Sequence, residues 1–268
     1  MGTQTPALRA AASVNADPTP YPDVNDVLRV LLAGARELLG TRLVGLYLSG
    51  SLASGDFMPA RSDVDFVGVT DGVLPDEALP ALKAMHARIT ASGMKWAAKL
   101  EGMYIPQRAL RRYDLVQGGY PALRVDGSFD VDGLGSDWII QLWTLRERGI
   151  ALAGPEPRTL IDPVLPDDLR QAALATLREW WAPMLHDQAR LRSREYQAYA
   201  ALTVCRALYT LQYGAVGSKA VAARWVQETL GETWSALIDQ ALAWPLAPQA
   251  DSLDETLDFI RYTLERSQ

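Results

Sequence analysis

The sequence predicts an α+β protein: a mixed sheet-and-helix domain followed by a bundle of helices. Three observations carry this. Strand-like and helix-like patterns alternate up to about residue 150. A Pro-rich stretch, GPEPRTLIDPVLPDD, then has four prolines in fifteen residues. Beyond Asp167 every apolar pattern has helical spacing. The expected division is a loose small, polar and Pro-rich tail over 1–22, a first domain over 23–160 and a helical domain over 161–268.

In chain order, VNDVLRVLLAGARELLG reads as an amphipathic helix, capped by Asp26 or Asn25 and stopped by Gly40. RLVGLYLSGS and SDVDFVGVT are strands, LPDEALPALKAMHARITASG is a helix, and WAAKLEGMYIP is a third strand ending at Pro106. The Gly- and Asp-rich YDLVQGGYPALRVDGSFDVDGLGSD is an extended loop region with room for a hairpin. SDWIIQLWTLRERG is helical, with Gly149 as its stop. Five helices follow the Pro-rich linker: LRQAALATLREWW, REYQAYAALTVCRALYTLQYG, SKAVAARWVQETLG, TWSALIDQALAW and LDETLDFIRYTLERS.

Composition narrows the function classes. The 268 residues are 49% hydrophobic, enough for one large or two modest cores, but no run reaches the length of a membrane helix. The first residues lack the apolar segment of a signal peptide. One cysteine, Cys205, rules out an internal disulfide and fits a reducing cytosol; two histidines argue against a His-rich zinc site. Net charge is −6, which disfavours a protein that tracks a nucleic-acid backbone. Seven basic residues and one acid lie between Lys83 and Arg112, a strip that suits a small polyphosphate, or else an ordinary solvated face. A cytoplasmic monomer without nucleic-acid or membrane partners is the expectation.

The chemistry concentrates between Leu46 and Val69. A strand ends in Gly50-Ser51, a Gly55-Asp56 turn follows, and Ser62-Asp63-Val64-Asp65 opens the next strand. Strand side chains alternate faces, so Asp63 and Asp65 point the same way and Val64 points to the core. Two adjacent carboxylates repel unless a cation lies between them, and their oxygens are what magnesium prefers, with substrate phosphates completing its shell. Two such ions could stabilise the attacking and leaving oxygens of an in-line phosphoryl displacement. Glycine allows close backbone approach, and the amides and the Ser51 hydroxyl can take phosphate oxygens. No lysine follows Gly50-Ser51, so this is not a Walker-type loop. D-x-D alone also marks plain surface strands, and Gly-Ser plain turns; the combination is what is specific.

That combination resembles the signature of the polymerase-β nucleotidyltransferase superfamily. The whole chain, over about residues 25–265, resembles its aminoglycoside (3'')(9) adenylyltransferase branch. KLEGMYIP, SDWIIQLWTLRERGIALAGPEP with LIDPV after it, and LTVCRALYTLQYGAVGSKAVAARWV carry the branch-level likeness. The resemblance implies a polymerase-β-type first domain and transfer of AMP from ATP, with magnesium, to a hydroxyl of an aminoglycoside or aminocyclitol. It makes Asp63 and Asp65 metal ligands and puts Gly50, Ser51 and Ser62 on the triphosphate. Glu101 becomes the general base or, in the competing role, a third metal ligand; an ordinary carboxylate there would be ionised at neutral pH without a large shift. Lys219, Arg206, Asp137 and Trp244 fall on positions used around the nucleotide and between domains, with Trp244 near an adenine-stacking aromatic. Departures lie on the acceptor side. Where the family places acids ahead of the LTVCR-type helix, this chain has LRSREYQAYA, with Arg190, Arg192 and Arg194, with Tyr196 at one such position and Glu195 one residue out of register.

Overall fold

The computed structural model describes residues 17–112, 118–247 and 250–267. Most of the expected tail, 1–16, and the YDLVQ end of the loop region, 113–117, lie outside them. The chain order is α1 (Pro22–Leu39), β1 (Leu43–Leu48), α2 (Gly50–Ser54), β2 (Val64–Thr70), α3 (Ala78–Thr90), β3 (Leu100–Pro106), α4 (Gln107–Arg111), β4 (Gly119–Leu123), β5 (Phe129–Gly133), α5 (Trp138–Arg148), β6 (Ile150–Ala153) and α6 (Pro157–Leu160). The helical part has α7 (Pro166–Thr176), α8 (Arg194–Tyr213), α9 (Lys219–Leu230), α10 (Ser235–Ala243) and α11 (Leu253–Arg266).

The start of α1 corrects the expected cap. The helix begins at Pro22, whose missing N–H costs nothing at a first turn, so Asn25 and Asp26 lie inside it. Asn25 is buried and holds the preceding chain: its Oδ1 accepts from the Thr19 amide at 3.1 Å and hydroxyl at 2.7 Å, and its Nδ2 donates to the Thr19 carbonyl at 2.8 Å. Residues 19–22 are therefore fastened to the domain instead of forming the end of a loose tail.

Six strands form one mixed sheet in the order β5-β4-β3-β2-β1-β6. Only β2 and β3 run parallel, with α3 as the crossover between them. The loop region holds the hairpin β4–β5. The edge strand β6 was not expected: IALA is four residues long, too short for a periodic signal, and it pairs antiparallel with β1 straight after the Gly149 stop of α5.

Strand alternation divides two apolar layers. Leu46, Leu48, Val64, Phe66, Leu100 and Tyr104 pack with α1 and α3 on one face. Tyr47, Val67, Val69 and Ile105 pack with Trp138, Leu142 and Leu145 of α5 on the other. The Pro-rich stretch is packed rather than loose, because Leu160 and Ile161 are buried in this second layer. The helices from α7 onward build a separate core around Trp181, Val204, Cys205, Val226 and Phe259. Among the described residues no helix is long and apolar enough to cross a membrane.

One polar group is sealed inside the first layer. His86 of α3 is 1% exposed, stacks between Phe66 and Phe129, and its Nε2 lies 3.0 Å from the Tyr104 hydroxyl. Burial lowers its pKa from 6.5 to about 4. Below pH 6.5 the unfolded chain therefore binds a proton that the folded chain refuses, and this residue's contribution to stability falls as pH drops from 6.5 towards 4. Denaturant titrations at pH 7 and pH 5 should show wild type losing about 2 kcal/mol relative to His86→Phe over that interval. An unchanged gap between the two proteins would mean that His86 is protonated in the fold.

Candidate active site

The site is built where β1 ends and β2 begins. The Ser49 amide donates to the Asp65 carbonyl at 3.0 Å, which closes the β1 end onto β2. The chain then turns through Gly50 at φ +58°, a left-handed conformation that favours glycine. An added Cβ at Gly50 would lie 1.9 Å from Asp65 Oδ2, so glycine is required by shape as well as by φ. The Ser51 amide hydrogen-bonds the Asp65 carboxylate, while the Ser51 hydroxyl is buried with no partner in the fold. A buried hydroxyl left without a partner is a ready ligand for an incoming oxygen.

Parallel pairing sets the third carboxylate. Asp65 stands opposite Glu101 in the β2–β3 register. Alternation puts both side chains on the face of Val67, Val69 and Ile105, and Asp63 two residues earlier joins them. Burial, and then Asp63, raise the Asp65 pKa to about 6; the Ser51 amide and the cations Lys219 and Arg206 work against that rise. Glu101 is pushed up to about 7 by burial, then by Asp65, Asp63 and Asp126 in the β4–β5 turn. The expectation of an unshifted Glu101 is therefore corrected: near neutral pH it is poised between its two forms, because burial and three aspartates oppose its charge.

The bundle supplies opposite charge. Lys219 is the first residue of α9, whose N-cap Ser218 accepts from the Val221 amide at 3.1 Å. Its ammonium is drawn by Asp65 and Asp63, while burial and then Arg206 and Arg61 push its pKa down. Arg206, on α8, is lowered chiefly by burial and is attracted by Tyr199, Asp56 and Asp137. Asp137 lies just ahead of α5, exposed, with its Oδ2 accepting from Gln141 at 2.7 Å. Gly50, Ser51, Asp63, Asp65, Glu101, Lys219 and Arg206 are thus brought together, with Asp137 at the margin.

Other expected residues fall differently. Ser62 is spent on its own loop: its hydroxyl accepts from the Met58 amide at 2.9 Å. Trp244 packs its ring against the bundle core and offers its carbonyl to Arg61 at 3.4 Å. Glu195 is exposed on the first turn of α8. The three carboxylates also do not close into a metal cage. Among the described residues no group of three or more His, Cys, Asp or Glu could hold an ion by itself. Asp65 is tied to Ser51, and Asp63 Oδ1 is 3.2 Å from the Lys99 ammonium. Asp63 and Asp65 are the nearest pair of candidate donors, with Glu101 on the same sheet face beside Asp65.

Sequence reasoning missed Lys99, Asp56, Arg61 and Asp126. Lys99 had a usable signal: it precedes Glu101 by the same two residues that separate Asp63 from Asp65. Asp126 acts from a hairpin turn that no local pattern places beside Glu101.

The comparisons with known proteins agree with this geometry. Residues 159–266 match the family model described as "Aminoglycoside adenylyltransferase, C-terminal domain". An aminoglycoside (3'')(9) adenylyltransferase of Escherichia coli is 28% identical over 236 residues, covering 82% of this chain and 86% of that protein. A spectinomycin 9-adenylyltransferase of Staphylococcus aureus is 27% identical over 218 residues, 77% of this chain and 79% of its own. The fold matches a spectinomycin adenyltransferase from Enterococcus faecialis, solved with ATP and spectinomycin, at a TM-score of 0.72 and 19% identity, over 90% of this chain and 98% of that one.

The chain is similar to aminoglycoside and spectinomycin adenylyltransferases along most of its length, and its residues 159–266 match their C-terminal domain model. It is an enzyme, a nucleotidyltransferase of the adenylyl-transferring kind. Here the sheet contributes the acids of the site and the helices the bases.

Two outcomes follow for this adenylyltransferase. Gly50→Ala forces the Asp65 carboxylate to move, and adenylyl transfer should fall by about 100-fold or more; activity within a few-fold of wild type would show that the Gly50–Asp65 contact is dispensable. The folded pKa of Glu101 lies above its unfolded value of 4.5, so its cost to stability grows as pH rises from 4.5 to about 7 and stays in full above that. Glu101→Gln should then raise the Tm at pH 8 by roughly 3–8 °C, with a smaller gain at pH 5, by scanning calorimetry in EDTA. A lowered Tm at pH 8 would contradict the like-charge strain.

Proposed function

We propose that the enzyme transfers AMP from ATP to a hydroxyl of an aminoglycoside or aminocyclitol antibiotic, such as spectinomycin or streptomycin, and releases pyrophosphate. The observation that carries this is the meeting of Lys219 and Arg206, from the helical domain, with the Asp63–Asp65 pair on the sheet. Acids and bases facing each other across a cleft suit a triphosphate that brings its own cation.

Magnesium fits the site because it usually takes one or two carboxylates and completes its shell with substrate phosphates and water, so a third protein acid is not needed. Asp63 and Asp65 would hold it, as two ions, and when bound it would supply positive charge to the phosphoryl oxygens. The Ser51 hydroxyl and the amides after Gly50 bind the triphosphate. Lys219 and Arg206 neutralise it from the other side. Glu101, poised near pH 7, takes the proton of the acceptor hydroxyl; that oxygen forms a bond to the α-phosphorus as the bond to pyrophosphate breaks, and Glu101 then returns the proton to water. The relatives' names and the neighbour's bound spectinomycin support the acceptor class.

The same transfer to another small-molecule or protein hydroxyl is the second reading, favoured by one observation. The N-terminal end of α8 carries Tyr196 and Tyr199 with exposed Arg192 close by, and Arg190 stacks over Trp180 at 5.0 Å. A polycationic drug finds few acids there. The proposal includes a cytoplasmic monomer, in keeping with the buried free thiol of Cys205.

Mass spectrometry of protein incubated with ATP, magnesium and a drug panel should show one drug heavier by an AMP group, and Asp63→Asn should abolish this. An unmodified panel with Asp63-dependent ATP binding would move the acceptor to the second reading; full turnover by Asp63→Asn would remove the metal role.

A further inference from the structure

The end of α10 has a hydrogen-bonding deficit that the other domain makes good. The carbonyl of Ala241 would ordinarily accept from the amide four residues on, but that residue is Pro245, which has no N–H. The carbonyl of Leu242 would accept from Leu246, whose amide instead donates to Ala243 at 2.8 Å. Arg61 fills both places. Its Nη1 lies 3.3 Å from the Ala241 carbonyl oxygen, 3.1 Å from that of Leu242 and 3.4 Å from that of Trp244. A cation at a helix C-terminus is also favoured by the helix dipole.

Arg61 sits two residues before Asp63, on the loop that leads into β2. Asp56, at the start of the same loop, attracts both Arg61 and Arg206. The loop thus holds the helical domain at two places, directly through Arg61 and by charge through Asp56. Lys219, assigned to the nucleotide, is within electrostatic reach of Arg61 and Arg206 and of Asp63 and Asp65.

We propose that Arg61 is a positioning residue for the transfer reaction: it latches the end of α10 to the Asp63 loop and so sets the width of the nucleotide cleft. This rests on the reading that ATP binds between the two domains. Arg61 directs its Nη1 to backbone carbonyls of the helical domain, so in this proposal its effect reaches the substrate through the placement of Asp63 on one side and of the helical domain on the other. Losing it should weaken ATP binding more than it slows the chemistry of bound ATP.

The test compares wild type, Arg61→Met and Arg61→Lys in the full chain. For Arg61→Met the Kd of ATP with magnesium, by calorimetry without acceptor, should rise about tenfold, the cost of a charge-assisted hydrogen bond. KM for ATP should rise in parallel, while kcat stays within about threefold. Hydrogen exchange of residues 241–247 should quicken, with residues 198–207 in the middle of α8 unchanged. Arg61→Lys keeps a cation in reach and should recover part of the affinity. An unchanged Kd and unchanged exchange in Arg61→Met overturn the latch alone. A collapse of kcat at constant KM also overturns it, by putting Arg61 at the reacting atoms, and so does faster exchange across the whole bundle, which marks a merely structural role. Wild type that fails to bind ATP overturns the proposed function and the latch together.

Discussion

Mutual repulsion of three carboxylates on one sheet face is the constraint around which this protein is arranged. Parallel pairing sets Glu101 beside Asp65, and alternation adds Asp63. A fold that holds them so pays in stability: burial first, and then the neighbouring carboxylates, raise the pKa values of Asp65 and Glu101. The neighbouring devices each relieve part of it. The Ser51 amide holds Asp65, Lys99 stands 3.2 Å from Asp63, and Lys219 attracts both aspartates from the far domain. None of these cations is locked into the cluster as a lifelong partner would be, which leaves the acids able to exchange a protein cation for one that arrives with a substrate.

The division of charge between domains follows from the same strain. The sheet alone would present acids with little compensation, and the helical domain alone would present Lys219 beside Arg206, which lowers the affinity of Lys219 for its proton. Each half is an incomplete electrostatic object. Docking is therefore favoured by the site itself, in addition to contacts such as Arg148 donating to the Val216 carbonyl at 3.2 Å. On the proposed reading, a triphosphate with its cation would neutralise both halves.

Much of this was legible in the residues, for physical reasons that also explain the gaps. Glycine, serine and the D-x-D pair sit within sixteen residues, so local geometry could speak for them. Glu101 needed only the assumption that its strand lies next to that of Asp65. The long helices announced themselves by period, whereas β6 is four residues long and has no period to show. The cap of α1 was misplaced because Asn25 looks like a capping residue; burial has it bonding Thr19 instead. The shift of Glu101 depends on burial and on Asp126 from a distant turn, and neither is written in its neighbours. Ser62 and Trp244 were assigned by position, and the structure shows that each also has a structural partner that position does not reveal.

The hardest feature to read was the joint between the domains, although half of it is written plainly. Pro245 after a helical run states that a carbonyl four residues earlier will lack a backbone donor. What the sequence does not state is who supplies the donor, because Arg61 is 180 residues from Ala241 in the chain. Buried helix ends without partners are costly, so such a carbonyl must be met by water, a side chain or a neighbouring domain. Here it is met by Arg61, two residues before Asp63, and the need to satisfy a backbone group thereby ties the end of α10 to the loop that carries Asp63. A local deficit in hydrogen bonding has become a coupling between domains.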